Sequence, residues 1–114
     1  KRRGEKLCRK VYADNFDKLK TRVRDFSKDI FEWMILEGYG KVLARPGLDI
    51  TRRELAIVAM LMADNRPKQL FSHIRGALNV GVSRKLLKTV MTDICRATGA
   101  DSKTALAFLQ KIEN

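Results

Sequence analysis

Cysteine is scarce in this sequence, and long apolar runs are absent from it. The two cysteines, Cys8 and Cys95, lie far apart and form no Cys-x-x-Cys pair, which excludes a disulfide framework and predicts a reducing environment. No stretch approaches the roughly eighteen consecutive apolar residues of a transmembrane helix, and no apolar segment follows the charged N-terminus as in a secretory signal. We therefore expect a soluble, cytoplasmic protein with no membrane partner, and we expect further residues before Lys1.

Histidine is scarcer still, because His73 is the only one in the chain. A zinc site with the usual ligand sets is therefore not expected. The sequence also lacks a Gly-x-Ser-x-Gly nucleophile elbow, a phosphate-binding P-loop and a Gly-x-Gly-x-x-Gly dinucleotide motif. These absences predict a protein that uses neither a metal nor a cofactor.

Acidic residues are outnumbered, since 24 Lys and Arg face 13 Asp and Glu and the formal net charge is +11. The positive charges are spread along the chain, and the one compact cluster, Lys1–Arg3, lies at its end. A nucleic acid partner is not expected, because no zinc-finger, RNA-recognition or basic-zipper pattern accompanies the charge. The charge indicates solvated helix faces, such as the one carrying Arg52–Arg53, and a preference for anionic ligands.

Helical periodicity recurs along nearly the whole chain and predicts an all-α protein. At 114 residues, of which 45% are hydrophobic, the chain has the size of one domain, residues 1–114, built as a helical bundle with short corners. The predicted helices cover Glu5–Ala13, Phe16–Phe26, a segment from Ser27 to a break at 44–48 that Gly38 and Gly40 loosen, Arg52–Asp64, 67–80, 84–98 and a last segment from Ser102.

Capping residues set the predicted helix ends. Pro67 fits the first turn of a helix, and Gly81 and Gly99 fit the left-handed residue that follows one. Polar side chains that can accept hydrogen bonds from free amides precede the other helices. The predicted N-caps are Asp14 or Asn15, Ser27, Asp49 or Thr51, Ser83 and Ser102.

The helix predicted over Arg52–Asp64 is apolar around most of its circumference. Such a pattern predicts the central buried helix of the bundle. A small domain with so apolar a helix often completes its core with another copy, so we expect a homo-oligomer.

Glu54 and His73 form the one constellation that suggests chemistry. Each lies beside apolar residues at helical spacing, and a short corner at Asn65-Arg66-Pro67 joins their helices. That corner predicts that the carboxylate and the imidazole approach each other as a proton-transfer pair. Two structural alternatives stay open: a histidine that only fills space, and a glutamate that only complements the N-terminus of its helix.

Two segments of the chain resemble the carboxymuconolactone decarboxylase family. They are Leu43-Ala44-Arg45-Pro46-Gly47-Leu48-Asp49 with the following Arg53-Glu54-Leu55, and Gln69-Leu70-Phe71-Ser72-His73-Ile74-Arg75-Gly76-Ala77-Leu78-Asn79-Val80-Gly81-Val82-Ser83. The resemblance is good over Trp33 to Met91. It implies an all-α bundle of the alkylhydroperoxidase D-like type that assembles as a trimer or hexamer, with a dimer as an alternative.

The resemblance also implies a choice between two activities. One branch of the family decarboxylates γ-carboxymuconolactone in aromatic catabolism, and the other reduces peroxides with a Cys-x-x-Cys pair between a glutamate and a histidine. Glu54 and His73 match the ends of that motif, but Arg66 and Gln69 occupy the cysteine positions. Neither side chain can serve as a thiolate nucleophile, so peroxiredoxin activity by that mechanism is not expected.

The resemblance thus implies a cofactor-free lyase acting on a small anionic carboxylate or lactone. Glu54 and His73 would be its catalytic acid/base pair, and Arg45, Arg66, Gln69 or Arg75 would hold the substrate carboxylates. The alternative is a non-enzymatic oligomeric helical module that binds an acidic partner, or a peroxidase-family relative without the thiols.

Overall fold

The computed structural model describes residues 1–112. Within this range the secondary structure is helical and no strand is present, which confirms the all-α prediction. The helices are α1 (Arg2–Tyr12), α2 (Phe16–Phe26), α3 (Lys28–Trp33), α4 (Ile50–Ala63), α5 (Pro67–Asn79), α6 (Arg84–Thr98) and α7 (Ser102–Lys111). A 3₁₀ turn (Ala13–Asn15) precedes α2, and a π-helical segment (Met34–Leu43) follows α3. The chain divides into two compact units, Lys1–Ile50 and the part from Thr51 onward. A single domain over residues 1–114 stays a prediction.

Several predicted helix ends are confirmed. The Ser27 hydroxyl accepts a hydrogen bond from the Ile30 amide at 3.3 Å, and the Ser83 hydroxyl accepts one from the Leu86 amide at 3.1 Å. Pro67 is the first residue of α5, and Gly81 and Gly99 have positive φ angles of 105° and 72°. These positions follow from local chemistry, because one side chain or one backbone angle is enough to define them.

Other predicted ends are wrong by a few residues. α1 begins at Arg2 rather than Glu5, and α4 begins at Ile50, which places Thr51 inside the helix rather than at its cap. Asp101 caps α7 in place of Ser102, since its carboxylate accepts from the amides of Lys103 and Thr104. Asp101 and Ser102 are both good caps, so the sequence alone does not decide between two such neighbours.

The cap predicted for α2 is also wrong. Neither predicted side chain caps the helix: the residue before α2 is Asn15, and its side chain makes no capping hydrogen bond. The 3₁₀ turn carries the chain from α1 into α2 instead, and Ala13 in that turn has a φ of 47°. The tighter turn supplies the connection that a polar side chain was expected to provide.

In the first unit, α1 packs closely against the π-helical segment. A Cβ atom on Gly4 would lie 2.0 Å from the Ile35 carbonyl oxygen and 2.7 Å from the Gly40 amide nitrogen. The Arg3 guanidinium donates to the Gly40 carbonyl at 3.0 Å and 2.5 Å. Glycine at position 4 is therefore what allows the two backbones to touch.

The π-helical segment occupies the stretch that the sequence predicted as a loosened helix. The Ala44 amide donates to the Tyr39 carbonyl five residues earlier, at 3.0 Å. The wider turn keeps Ile35 and Tyr39 buried, with 1% and 5% of their surface exposed. A π-helix is uncommon, and here it lies against α1.

In the second unit, α7 packs against α5 and α6. The Arg84 guanidinium, at the start of α6, donates to the carbonyl oxygens of Leu109, at 2.6 Å, and Ile112. These are among the carbonyl groups that a helix leaves without partners at its C-terminus. Arg84 therefore supplies hydrogen-bond donors to carbonyl groups at the C-terminus of α7 and links α7 to α6.

The sequence predicts α4 as the central buried helix, but only one stripe of α4 is buried. Its buried residues are Arg53, Glu54, Val58 and Met62, whereas Met60 is 61% exposed. An all-apolar circumference can arise from alanine and methionine, which a protein surface tolerates. The buried stripe runs through positions 54, 58 and 62, so Glu54 points to the same side as Val58 and Met62.

Candidate functional site

A tight corner joins α4 to α5 and positions the candidate site. Two backbone hydrogen bonds connect the corner to the end of α4. The Asn65 amide donates to the Met62 carbonyl at 3.2 Å, and the Arg66 amide donates to the Leu61 carbonyl at 3.0 Å. Asn65 has a φ of 53°, a left-handed conformation that asparagine tolerates better than most residues. The corner lets the two helices bring side chains nineteen positions apart into contact.

Glu54 and His73 meet directly. The Nδ1 atom of His73 lies 2.8 Å from the Oε2 atom of Glu54. Glu54 is fully buried, while the imidazole retains 19% of its exposure. The pair therefore has a sealed end at the carboxylate and an accessible end at the ring.

The hydrogen bond orients the imidazole. If Glu54 is ionised, its carboxylate only accepts hydrogen bonds, and Nδ1 then carries the proton of the contact with Oε2. The Nε2 atom is then the ring nitrogen available to exchange a proton with a ligand. In general acid/base chemistry, a carboxylate commonly hydrogen-bonds to one nitrogen of a histidine while the other nitrogen exchanges a proton with the substrate.

The second carboxylate oxygen of Glu54 is unusual. Oε1 is buried and has no hydrogen-bond partner among residues 1–112. A buried oxygen without a donor destabilises the fold, because it loses its hydration without compensation. Such exceptions are uncommon in folded proteins.

The predicted substrate-binding residues on α5 lie in different surroundings. Arg66 is exposed and donates to Asp64 at 2.8 Å, and this hydrogen bond raises the pKa of Arg66. Gln69 is exposed as well. Arg75 is half-buried, with its guanidinium carbon 4.8 Å from the centre of the Phe71 ring. Arg75 is thus held by a cation–π contact two positions after His73.

Arg45, the fourth predicted substrate-binding residue, belongs to the first unit. There it lines a pocket together with α1 residues. The structure joins Glu54 to His73 by a direct contact, whereas the Arg66 guanidinium engages Asp64.

Arg53 was missed in the sequence. The Arg52–Arg53 pair was assigned to a solvated face, but Arg53 is only 8% exposed whereas Arg52 lies at the surface. A buried guanidinium is rare without partners, and this one directly precedes Glu54. No local signal would have indicated its burial, because that burial depends on which face of α4 turns inward.

Metal ligation has no visible support in the part of the chain that the structure describes. Across residues 1–112, no three His, Cys, Asp or Glu side chains lie close enough to hold a metal ion. No helix in the same range is long and apolar enough to cross a membrane.

The helices and the buried carboxylate–imidazole pair define a class of all-α protein with a candidate proton-transfer site. The family model of the carboxymuconolactone decarboxylase family matches residues 30–111, and the chain belongs to that family. The match confirms the resemblance seen between Trp33 and Met91 and extends it through α7.

One similar protein is the 4-carboxymuconolactone decarboxylase of Acinetobacter baylyi (strain ATCC 33305 / BD413 / ADP1). The two sequences are 30% identical over 83 residues, which cover 73% of this chain and 62% of the relative. The chain therefore spans less than two thirds of the length of that enzyme.

Proposed function

We propose that this protein is a cofactor-free decarboxylase-type lyase that acts on a small anionic carboxylate or lactone. The observation that supports the proposal is the 2.8 Å contact between His73 Nδ1 and the fully buried Glu54. Membership of a family named for a decarboxylase, and similarity to a 4-carboxymuconolactone decarboxylase, give the reaction class. The corresponding substrate for this chain is γ-carboxymuconolactone or a related lactone.

The proposed chemistry assigns one proton to His73. Loss of carbon dioxide breaks a carbon–carbon bond and leaves the electron pair on the substrate. In the imidazolium form, Nε2–H donates a proton to that carbon, while Nδ1–H stays with Glu54. The charge-assisted hydrogen bond to Glu54 stabilises the imidazolium before transfer and fixes the ring. Solvent then restores the proton to the neutral imidazole.

Cationic side chains are proposed to hold the substrate carboxylates. Arg75 is one candidate, because its contact with Phe71 fixes its guanidinium. Arg66, Gln69 and Arg45 remain candidates. The net charge of +11 favours the approach of a dianion.

A thiol peroxidase is the weaker proposal. Arg66 and Gln69 stand at the positions where that mechanism needs cysteines. Burial raises the pKa of the Cys8 thiol from 9.0 to about 12, and a thiol that stays protonated is a poor nucleophile.

The test is turnover of γ-carboxymuconolactone and a panel of related lactones by the purified protein, with release of carbon dioxide as the readout. We expect His73→Gln and Glu54→Gln to lower kcat by about 10²–10⁴-fold, the usual contribution of a general acid or base. Lys88→Gln, an exposed change on α6, is the matched control and should leave kcat unchanged. Turnover that survives His73→Gln would refute the assigned role.

A helical module without enzymatic activity is the competing proposal. It predicts no turnover on any lactone together with binding of an acidic partner. Nucleic acid is the simplest such partner to test, by filter binding across a salt series, because phosphate contacts weaken steeply as salt rises. Absence of retention at low salt would remove it.

We also propose that the protein forms a homo-oligomer, as a trimer or hexamer, or else a dimer. Several large apolar side chains are exposed, among them Phe26, Trp33 and Met60, and these support the burial of apolar surface against a second copy. Light scattering that gives the mass of a single chain would contradict this proposal.

A further inference from the structure

A pocket of about 310 Å³ lies within the first unit, between α1 and the segment that leads to α4. Of the residues named in the mechanism proposed above, only Arg45 lines it, as a candidate for holding substrate. Ligand sites generally start near this size, at about 300 Å³. Its lining residues are Arg3, Lys6, Leu7, Lys10, Leu43, Ala44, Arg45, Leu48, Asp49 and Ile50.

One side of the pocket is strongly cationic. Arg3, Lys6 and Lys10 follow each other at three and four positions along α1, so their side chains share a face of the helix. Arg45 adds a fourth cation from the opposite segment, and Asp49 is the one acid among the lining residues. Like charges at this spacing repel each other, and a bound anion would relieve that repulsion.

The cations differ in how they are held. The Arg3 guanidinium donates to the Gly40 carbonyl, which fixes the start of the face. Lys6 and Lys10 are exposed. Their ammonium groups take part in no ion pair within residues 1–112. The two lysines are therefore the groups that would contact an anion.

The rest of the lining is aliphatic. Leu7, Leu43 and Ile50 are half-buried, and Leu48 exposes 50% of its surface. An exposed leucine beside cations provides apolar surface for the body of a ligand whose charged end meets the lysines. A free inorganic anion would leave that surface in water.

We propose that this pocket binds a small amphipathic organic anion, with its carboxylate or phosphate on Lys6 and Lys10 and its apolar body on Leu7 and Leu48. Charge complementarity decides the sign of the ligand, and a pocket of about 310 Å³ accommodates a body of about the size of a substituted benzene ring. The proposal concerns binding and stands apart from the acid/base chemistry of Glu54 and His73.

The experiment is a titration of the full chain followed by amide chemical shifts. The probes are 4-ethylbenzoate, 4-ethylphenyl phosphate, the neutral 4-ethylbenzyl alcohol and inorganic phosphate. We expect one or both aromatic anions to shift the amides of Lys6, Leu7 and Leu48 to saturation. The neutral alcohol and inorganic phosphate should bind at least about tenfold more weakly, since each lacks one half of the recognition. The two anionic arms distinguish a carboxylate ligand from a phosphate ester.

Variants locate the site. The double change Lys6→Gln and Lys10→Gln should weaken the aromatic anion at least about tenfold, whereas the matched exposed change Lys18→Gln should not. His73→Gln should also leave this binding unchanged, even if it abolishes turnover. In the unaltered protein, added salt should weaken the anion, because it screens exposed charges.

Three results would overturn the proposal. The first is equal binding of the alcohol and the anions, the second is an affinity that resists the double lysine change, and the third is loss of binding in His73→Gln. The last result would assign the anion to the Glu54–His73 site instead.

Discussion

The two units of this protein bury polar groups in opposite ways. The first unit buries Cys8, a thiol whose pKa rises to about 12, mainly because burial desolvates it, while a hydrogen bond with Tyr39 acts in the other direction. The second unit buries Glu54 and leaves its partner His73 partly accessible. Desolvation favours the neutral thiol of Cys8, whose partner Tyr39 is also buried, whereas Glu54 contacts a histidine that is 19% exposed. Burial alone therefore does not distinguish the two groups, but the exposure of the side chain that each one contacts does.

The largest expected difference between the units is in thiol reactivity. Cys95 is half-buried and Cys8 is fully buried. Reaction of Cys8 with a thiol reagent requires opening of the fold, so we expect it to be at least about a thousandfold slower than that of Cys95. A time course with Ellman's reagent, resolved by mass spectrometry of the labelled peptides, measures both rates.

The same thiol gives a pH dependence. Above pH 9 the unfolded chain loses the Cys8 proton, whereas the folded chain keeps it until about pH 12. The unfolded state then binds fewer protons, so the free energy of unfolding falls as the pH rises through this window. Urea unfolding at increasing pH measures the slope, and Cys8→Ala should make it shallower. An unchanged slope in that variant would contradict the assignment.

The next largest effect concerns the close backbone contact of the first unit. Gly4→Val should lower the free energy of unfolding by about 3 kcal/mol or more, because its Cβ would overlap the Ile35 carbonyl. Gly38→Ala is the matched control, since a Cβ there meets nothing within 4 Å. Alanine is also the better helix former, so the control should be neutral or stabilising by up to about 1 kcal/mol. Thermal unfolding of both variants decides the comparison.

A smaller effect, of the opposite sign, is expected in the second unit. Glu54→Met should raise the free energy of unfolding by about 1 kcal/mol, because it removes a buried carboxylate whose Oε1 has no partner. The partly exposed His73 can regain hydrogen bonds from water. The same variant should lose turnover, which is the usual relation between stability and a functional residue. A strongly destabilised Glu54→Met would show that the pair is structural.

The smallest effects test whether the two units unfold together. Ser27→Ala in the first unit and Ser83→Ala in the second each remove one capping hydrogen bond, which stabilises a protein by about 1 kcal/mol. If residues 1–114 form one cooperative domain, both changes should lower the midpoint of a single calorimetric transition. Two transitions, each sensitive to only one of the changes, would divide the chain into two domains.

Local chemistry explains which parts of the fold were predictable. The place of Pro67 and the caps at Ser27 and Ser83 follow from residues whose preference is strong and self-contained. The contact between Gly4 and Gly40 joins positions far apart in sequence, and nothing in either neighbourhood announces it. Packing of that kind depends on the whole chain, so a local pattern cannot reveal it.

The candidate site shows the same division. Helical spacing and a short corner were enough to predict that Glu54 and His73 approach each other. The burial of Arg53 and the unpartnered oxygen of Glu54 were not predictable, because they depend on which face of α4 turns inward. Because apolar residues lie around most of α4, its sequence does not indicate which face is buried.

The sealed carboxylate and the accessible ring have a consequence for the traffic of protons. The Glu54 side chain is fully buried and contacts His73. A proton from bulk solvent would therefore reach the carboxylate by way of the imidazole. If the proposed decarboxylation holds, the deuterium that enters the product in heavy water should come from the imidazole of His73, because the ring is the accessible member of the pair. His73 is the member of the pair that solvent can reach.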